Sequence, residues 1–256
     1  MDKVTAKKRL GQHFLRDKGI ARRVSSSFKG EGCDSVLEIG PGMGVLTEFL
    51  LERAFADFRV IEIDGESVNY LKERFGESLV IIEGDFLRVN MRDFFPGTLG
   101  IAGNFPYNIS SQILFSVLEN RDKVNEITGM FQKEVAERIC SGPGTKEYGI
   151  LSVLVQAWYT TEYLFTVPQS VFSPPPKVKS GVIRLTRKQE QSIACDEKLF
   201  FRVVKAGFNQ RRKMLRNSLR SAFVLKSEDC PWFQLRPEQL DVNQFVALTN
   251  WVEKNT

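Results

Sequence analysis

Two short segments of this chain carry residue types that could do chemistry together. In Asn104-Phe105-Pro106-Tyr107-Asn108, a side-chain amide and a proline carbonyl could accept hydrogen bonds from an exocyclic amine, and a tyrosine ring could stack on a flat base. Earlier in the chain, Gly40-Pro41-Gly42-Met43-Gly44 is a glycine-rich turn that would let a nucleoside cofactor approach the backbone. In this order, the two segments predict methyl transfer from S-adenosylmethionine to an amino nitrogen of a nucleobase.

The difficulty of that reaction lies with the nucleophile, because the lone pair of an adenine amine is delocalised into the ring. Two acceptors, the Asn104 side-chain carbonyl and the Pro106 backbone carbonyl, would favour the pyramidal nitrogen of the transition state without a general base. The base must be flipped out of its stack, and we predict that Tyr107 and Phe172 hold it. A core position that anchors the neighbouring triple-proline turn remains the alternative for Phe172.

The glycine turn and Glu62, which ends the next predicted strand, fit two cofactors equally well. A carboxylate there accepts ribose hydroxyls of either NAD or S-adenosylmethionine, so a dehydrogenase stays open at this point. Asp85 shifts the balance towards S-adenosylmethionine, because it could accept the adenine amino group while Phe86 packs on the ring; a helix N-cap is its alternative. Glu38 either braces the glycine turn or touches the ligand.

Strand and helix patterns alternate through the first half of the chain, which predicts a parallel, doubly wound α/β sheet. We expect a helix over residues 17–28, then strands at Ser35–Ile39, Phe58–Ile63, Leu79–Glu83, Leu99–Gly103 and Ile127–Phe131, separated by helices at Gly44–Arg53, Ser67–Phe75 and Ser110–Glu119. Two closing strands, Tyr159–Val167 and Ser180–Thr186, bracket the proline turn. The remainder has only helical periodicity, so we predict a catalytic domain over residues 1–188 and a helical RNA-substrate domain over 189–256.

Composition favours an ordinary water-soluble protein with a polyanionic partner. The chain of 256 residues has a net charge of +5, and Arg202–Arg220 contains basic residues without an acidic one; Lys3–Arg23 is also strongly basic. Scattered cysteines and a single histidine argue against a disulfide framework and a metal site. The N-terminus lacks the apolar region of a signal peptide and no segment suits a membrane, so we expect a cytoplasmic protein.

The motifs, taken in order, resemble the KsgA/RsmA family of small-subunit ribosomal RNA adenine dimethyltransferases. The matching pieces are Lys8–Leu15, Leu37–Gly42, Val60–Asp64, Glu83–Asp85, Gly103–Ser110, Gln132–Val135, Phe172–Val178 and Phe208–Leu215. His13 stands where many members have asparagine, and Phe105 where many have leucine.

The resemblance implies a Rossmann-like methyltransferase with a seven-stranded sheet that dimethylates N6 of two adjacent adenosines. These lie in the loop of the 3′-terminal hairpin of 16S rRNA, in a late 30S precursor, and we expect a monomer. Predicted contacts with S-adenosylmethionine are His13, Leu15, Gly40, Gly42, Glu62, Ile63, Asp85, Phe86 and Asn104. Predicted contacts with RNA are Lys7, Lys8 and Arg9 near the start and a basic helix around Arg211, Arg212 and Lys213.

Three other functions remain open on sequence alone. An Erm-type enzyme acting on 23S rRNA shares the cofactor and N-x-P-Y segments, although the basic tail segment and the triple proline favour the small subunit. A non-catalytic assembly factor with the same fold is a rival of a different class. A DNA adenine methyltransferase fits the order of the motifs less well.

Overall fold

The computed structural model describes residues 4–190 and 192–256, so Lys3 of the basic N-terminal run lies outside the described residues. The strands are β1 (Phe14–Leu15), β2 (Ser35–Ile39), β3 (Phe58–Glu62), β4 (Val80–Glu83), β5 (Leu99–Asn104), β6 (Val124–Gln132), β7 (Tyr159–Val167), β8 (Phe172–Ser173) and β9 (Ser180–Arg187). The α-helices are α1 (Lys18–Ser27), α2 (Val45–Leu51), α3 (Gly65–Phe75), α4 (Met91–Phe94), α5 (Ser110–Glu119), α6 (Lys133–Cys140), α7 (Ile150–Trp158), α8 (Glu197–Asn209), α9 (Leu215–Arg220) and α10 (Val242–Lys254).

Seven strands form one sheet in the order β4-β3-β2-β5-β6-β9-β7. The pairs from β4 to β6 are all parallel, and β9 runs antiparallel to β6. Every residue of β2 is buried, as expected for a central strand covered on both faces. The predicted Rossmann-like fold is therefore confirmed, and the strand order reverses beside β2, where such sheets bind ligands.

Contacts divide the chain into two compact units. The first comprises residues 1–136 and 162–187, and the second comprises residues 137–161 and 188–256. The predicted division at residue 188 differs from this, because 137–161 groups with the C-terminal helices. The helix α7 within that segment was not expected: its sequence I-L-S-V-L-V-Q-A-W is apolar on nearly every side, and such a run gives no clear helical period.

The second unit is built around aromatic side chains. Trp158 packs against the rings of Phe200 and Phe201, and Phe208 stacks on Phe245. The helix α8 begins at an N-cap, Asp196, whose carboxylate accepts the backbone N–H of Leu199. Across the described ranges, none of the helices has the length and apolar character needed to cross a bilayer.

Candidate active site

A cavity of about 870 Å³, including its open mouth, lies where β2, β3 and β5 end in the first unit. It is lined by nine residues that the sequence predicts as cofactor contacts: His13, Leu15, Gly40, Gly42, Glu62, Ile63, Asp85, Phe86 and Asn104. Pro106 and Tyr107 of the predicted catalytic loop line it as well. Both predicted segments therefore meet at one site.

The turn that follows β2 requires glycine at two positions. Gly40 and Gly42 have φ angles of +66° and +56°, in the left-handed region that side chains disfavour. A Cβ on Gly42 would also lie 2.8 Å from the Phe14 ring. The turn therefore presents bare backbone to the cavity.

Glu62, the last residue of β3, holds this turn through its carboxylate. One oxygen accepts the N–H of Gly42 at 3.1 Å, and the other accepts the N–H groups of Ile63 and Asp64, both at 2.9 Å. Burial raises the pKa of Glu62, and these three backbone bonds oppose the shift. The oxygen on Gly42 keeps a lone pair for a ribose hydroxyl.

Glu38 lies in β2 beneath the turn and is only 1% exposed. The residue lines the cavity, and its buried Oε2 has no hydrogen-bond partner. Burial raises the pKa of Glu38 to about 8; the charge of Glu62 adds to this, and the nearby Thr47 hydroxyl opposes it. A buried polar atom left unpaired beside a cavity is a group with which a polar atom of a bound ligand can pair.

Asp85 caps a short helix and also lies at the cavity, so its predicted contact with the cofactor and its N-cap alternative are compatible. Its Oδ1 accepts the N–H of Leu87 at 3.0 Å and so caps the short 3-10 helix Phe86–Arg88, and the residue also lines the cavity. Phe86 is buried beside it, while Ile63 is 53% exposed at the cavity wall. Apolar groups next to a carboxylate suit an adenine ring.

Asn104 ends β5, and its amide orientation is fixed by the N-terminal segment. Its Nδ2 donates to the backbone oxygen of His13 at 2.9 Å, which leaves Oδ1 as the acceptor available to a substrate. The Pro106 carbonyl already accepts the N–H of Ile109 at 3.2 Å, and its second lone pair remains for an amine hydrogen.

The same N-terminal segment is fastened to the site at several points. The Lys7 ammonium pairs with the carboxylates of Asp64 and Glu66, and Gln12 donates to Asp64 at 3.0 Å. Burial would raise the pKa of Asp64, but the bonds from Gln12 and Lys7 outweigh it and hold the pKa below its usual value. Lys7 is thus engaged within the protein, whereas Lys8 and Arg9 are exposed in a 3-10 helix.

The structure puts Phe172 in the core, which is the alternative that the sequence left open. It is 3% exposed within a buried apolar cluster, belongs to β8, pairs with Leu15 of β1, and is not among the residues that line the cavity. The ring that lies near Tyr107 is instead that of His13, with centroids 5.5 Å apart. His13 Nδ1 also lies 2.8 Å from the carbonyl oxygen of Pro174.

The basic segment of the second unit is a turn, not the helix that the sequence predicted. The helix α8 ends at Asn209 and α9 begins at Leu215, because Lys213 N–H bonds back to Gln210 and a new capping geometry starts at Met214. Arg211 donates to the Thr145 carbonyl at 3.0 Å, while Arg212 and Lys213 are exposed.

Two contributors to the site escape sequence analysis. Gln12 contacts Asp64, and Ser180 contacts the Tyr107 hydroxyl. Each is far in sequence from its partner, so no local spacing indicates the contact.

The sheet, the glycine turn and the acidic residues that end its strands define the class of S-adenosylmethionine-dependent methyltransferases with a Rossmann-like fold. Residues 3–252 match the family described as ribosomal RNA adenine dimethylase. The chain belongs to this family, so it is an enzyme that methylates adenine in ribosomal RNA with S-adenosylmethionine. The expected enzyme class and cofactor are confirmed, and the dehydrogenase, DNA methyltransferase and non-catalytic alternatives do not agree with this family.

Bacterial relatives are similar over almost the whole chain. Ribosomal RNA small subunit methyltransferase A of Cytophaga hutchinsonii is 56% identical over 253 residues, covering 98% of each chain. The protein of that name in Flavobacterium johnsoniae is also 56% identical, over 99% of this chain and 98% of its own.

Among solved structures, a dimethyladenosine transferase from Plasmodium falciparum has a TM-score of 0.81 and 26% identity, covering 94% of this chain and 98% of that one. The 23S rRNA methyltransferase ErmE has a TM-score of 0.69 and 24% identity over 94% of this chain and 99% of its own, which shows a shared fold.

Proposed function

We propose that the protein dimethylates N6 of two adjacent adenosines in the loop of the 3′-terminal hairpin of 16S rRNA, within a 30S precursor, as a cytoplasmic monomer. The choice of adenine as the methylated base rests on the Asn104 amide, whose orientation leaves an acceptor oxygen at the cavity beside Tyr107. The relatives, which are small subunit methyltransferases, support the small subunit as the source of the RNA.

Bound S-adenosylmethionine supplies an electrophilic methyl group on a sulfonium with an excellent leaving group. The chain's task is therefore to hold the amine in line with it. The Asn104 Oδ1 and the Pro106 carbonyl accept the two amine hydrogens and stabilise the pyramidal nitrogen, and Tyr107 stacks on the base. The residues that hold the cofactor are the nine cavity residues predicted above, with Glu38 added.

The RNA contacts belong to exposed basic residues in each unit. Lys8 and Arg9 are exposed in the first unit, and Arg212 and Lys213 are exposed in the second, with Arg211 beside them. Such side chains contact phosphates and set the register, while the cavity selects the base. We assign the first unit to catalysis and the helical second unit to the RNA substrate.

The experiment that tests this function measures methyl incorporation from labelled S-adenosylmethionine into under-methylated 30S subunits, 50S subunits and duplex DNA, followed by nucleoside analysis. We expect dimethyladenosine from 30S subunits alone. Label in 50S subunits would replace the proposal by an Erm-type activity, and label in DNA would overturn the RNA substrate. If none of the three substrates is labelled although the cofactor binds, the proposal that the enzyme acts on a 30S precursor is overturned.

A further inference from the structure

Ser180 lies at the active-site edge of the sheet because its strand, β9, runs antiparallel to β6. The strand β9 runs opposite to its neighbour, so its first residue, Ser180, pairs with the last residue of β6, Gln132. It therefore lies at the edge where the parallel strands end and where the catalytic loop begins. The Tyr107 hydroxyl and the Ser180 Oγ are hydrogen-bonded across this edge.

Tyr107 is restrained at its hydroxyl and at its backbone. Its hydroxyl is bonded to Ser180, and its backbone carbonyl accepts the Ser110 hydroxyl at 3.2 Å. The His13 ring lies near its ring, tilted by 35°. A ring fixed in this way has its plane set before a base arrives, so little rotational freedom is lost on stacking.

Ser180 itself is fully buried, with 0% exposure, so it does not touch the base. Since a buried hydroxyl needs a partner, the bond to Tyr107 also satisfies Ser180. Burial raises the pKa of Tyr107, against the opposing effect of the Ser180 bond, and the phenol keeps its proton at neutral pH.

We propose that Ser180 is a positioning residue for methyl transfer, which acts by holding the Tyr107 ring in the plane on which the target adenine stacks. The inference rests on the proposed function, because it assumes that Tyr107 stacks on the base. It assigns a role to the first residue of β9, which neither the glycine turn nor the N-x-P-Y segment predicts.

The test is a double-mutant cycle with Ser180→Ala, Tyr107→Phe and the double variant, measured on under-methylated 30S subunits. We expect each single variant to lower kcat/KM by about tenfold, as for the loss of one buried hydrogen bond, and the double variant to be no worse than either. Binding of S-adenosylhomocysteine by calorimetry should stay within twofold of wild type. Multiplied losses in the double variant, or wild-type activity of Tyr107→Phe, would overturn the inference.

The matched control is Ser25→Ala in the same unit. Ser25 is also a buried serine, and its hydroxyl donates to the Phe49 carbonyl at 3.0 Å, away from the catalytic loop. This variant tests whether the loss of any buried serine lowers activity, and we expect wild-type kcat/KM. An equal loss in Ser25→Ala would mean that Ser180→Ala acts through the fold.

A spectroscopic signal separates this inference from the function on which it rests. The chain has five tyrosines, so ¹³Cζ-labelled tyrosine gives few resonances, and Tyr107→Phe assigns the one of interest. Ser180→Ala should move that resonance, and Ser25→Ala should not. If wild type leaves 30S subunits unlabelled, the proposed function fails, while an unmoved resonance would refute the Ser180 contact alone.

Discussion

The cavity in the first unit and the basic turn Arg211–Lys213 in the second are built in opposite ways. In the cavity, a carboxylate and an amide are held by buried and part-buried hydrogen bonds: Glu62 accepts three backbone N–H groups, and the Asn104 amide donates to the His13 carbonyl. In the turn, Arg212 and Lys213 are exposed and Arg211 makes one bond, to a backbone carbonyl.

The difference follows from what each region must recognise. Methyl transfer needs the reacting atoms placed to within a fraction of an ångström, which only a rigid, hydrogen-bonded frame provides. Phosphates need charge at roughly the right distance, which flexible side chains in water provide. Substitutions in the cavity should therefore alter chemistry or folding steeply, and substitutions in the turn should alter binding gradually and in a salt-dependent way.

The largest expected effect is on chemistry. Asn104→Ala removes the oriented acceptor, so kcat on under-methylated 30S subunits should fall by about 10²–10³-fold. Asn108→Ala, four residues along the same loop and exposed, is the matched control and should retain wild-type kcat. Single-turnover methyl incorporation measures both. Equal rates for Asn104→Ala and wild type would remove the central residue of the mechanism.

The next effect is on stability. Glu62→Ala leaves three backbone N–H groups without their acceptor, so the free energy of unfolding should fall by about 3 kcal/mol in urea titrations without ligand. Glu83, its neighbour in register on β4, is an exposed acid that pairs with Lys72. Glu83→Ala should therefore change stability little. Similar small losses in both variants would show that the glycine turn does not depend on Glu62.

The sequence predicted the cavity better than its surroundings, for a physical reason. Gly40, Gly42, Glu62 and Asp85 lie at strand ends whose positions follow from local alternation and from the rule that parallel strands end at one edge. Local spacing also located the seven strands of the large sheet to within a few residues, but not the short strands β1 and β8. The seven-strand order and the antiparallel β9 depend on long-range pairing, which spacing does not record.

The surroundings of Phe172 and Lys7 also depend on long-range contacts. For Phe172 the sequence offered a place against the base or a place in the core; β8 pairs with β1 and the ring is buried, while its contact with the base stays a prediction. Lys7 in a basic run suggested a phosphate contact, but Asp64 and Glu66 engage it from far along the chain. Neither contact could be inferred from residues nearby in sequence.

The third prediction concerns pH and Glu38. The folded protein raises the pKa of this carboxyl from 4.5 to about 8, so it is neutral when folded and ionised when unfolded between these values. Unfolding therefore releases a proton, and raising the pH favours it. Relative to Glu38→Gln, wild type should lose about 1 kcal/mol of unfolding free energy per pH unit from about pH 5 to about pH 8. Urea titrations at several pH values measure the difference, which should be flat outside that window. A constant difference from pH 5 to pH 9 would contradict the buried, neutral acid.

The smallest effect per residue is expected in the basic turn. Arg211, Arg212 and Lys213 changed together to Ala should weaken binding to 30S subunits and lower the slope of log K against log salt concentration by about 2, since each lost phosphate contact removes somewhat less than one.

The matched control changes Lys198, Lys226 and Lys254, three exposed lysines of the same unit, and so removes the same charge elsewhere. If the turn contacts phosphates, only the first variant flattens the slope, while both bind S-adenosylhomocysteine like wild type. Equal flattening in the two variants would mean that net charge, rather than the turn, attracts the RNA. An unchanged slope in the first variant would separate the turn from RNA binding altogether, and its exposure would then need another explanation.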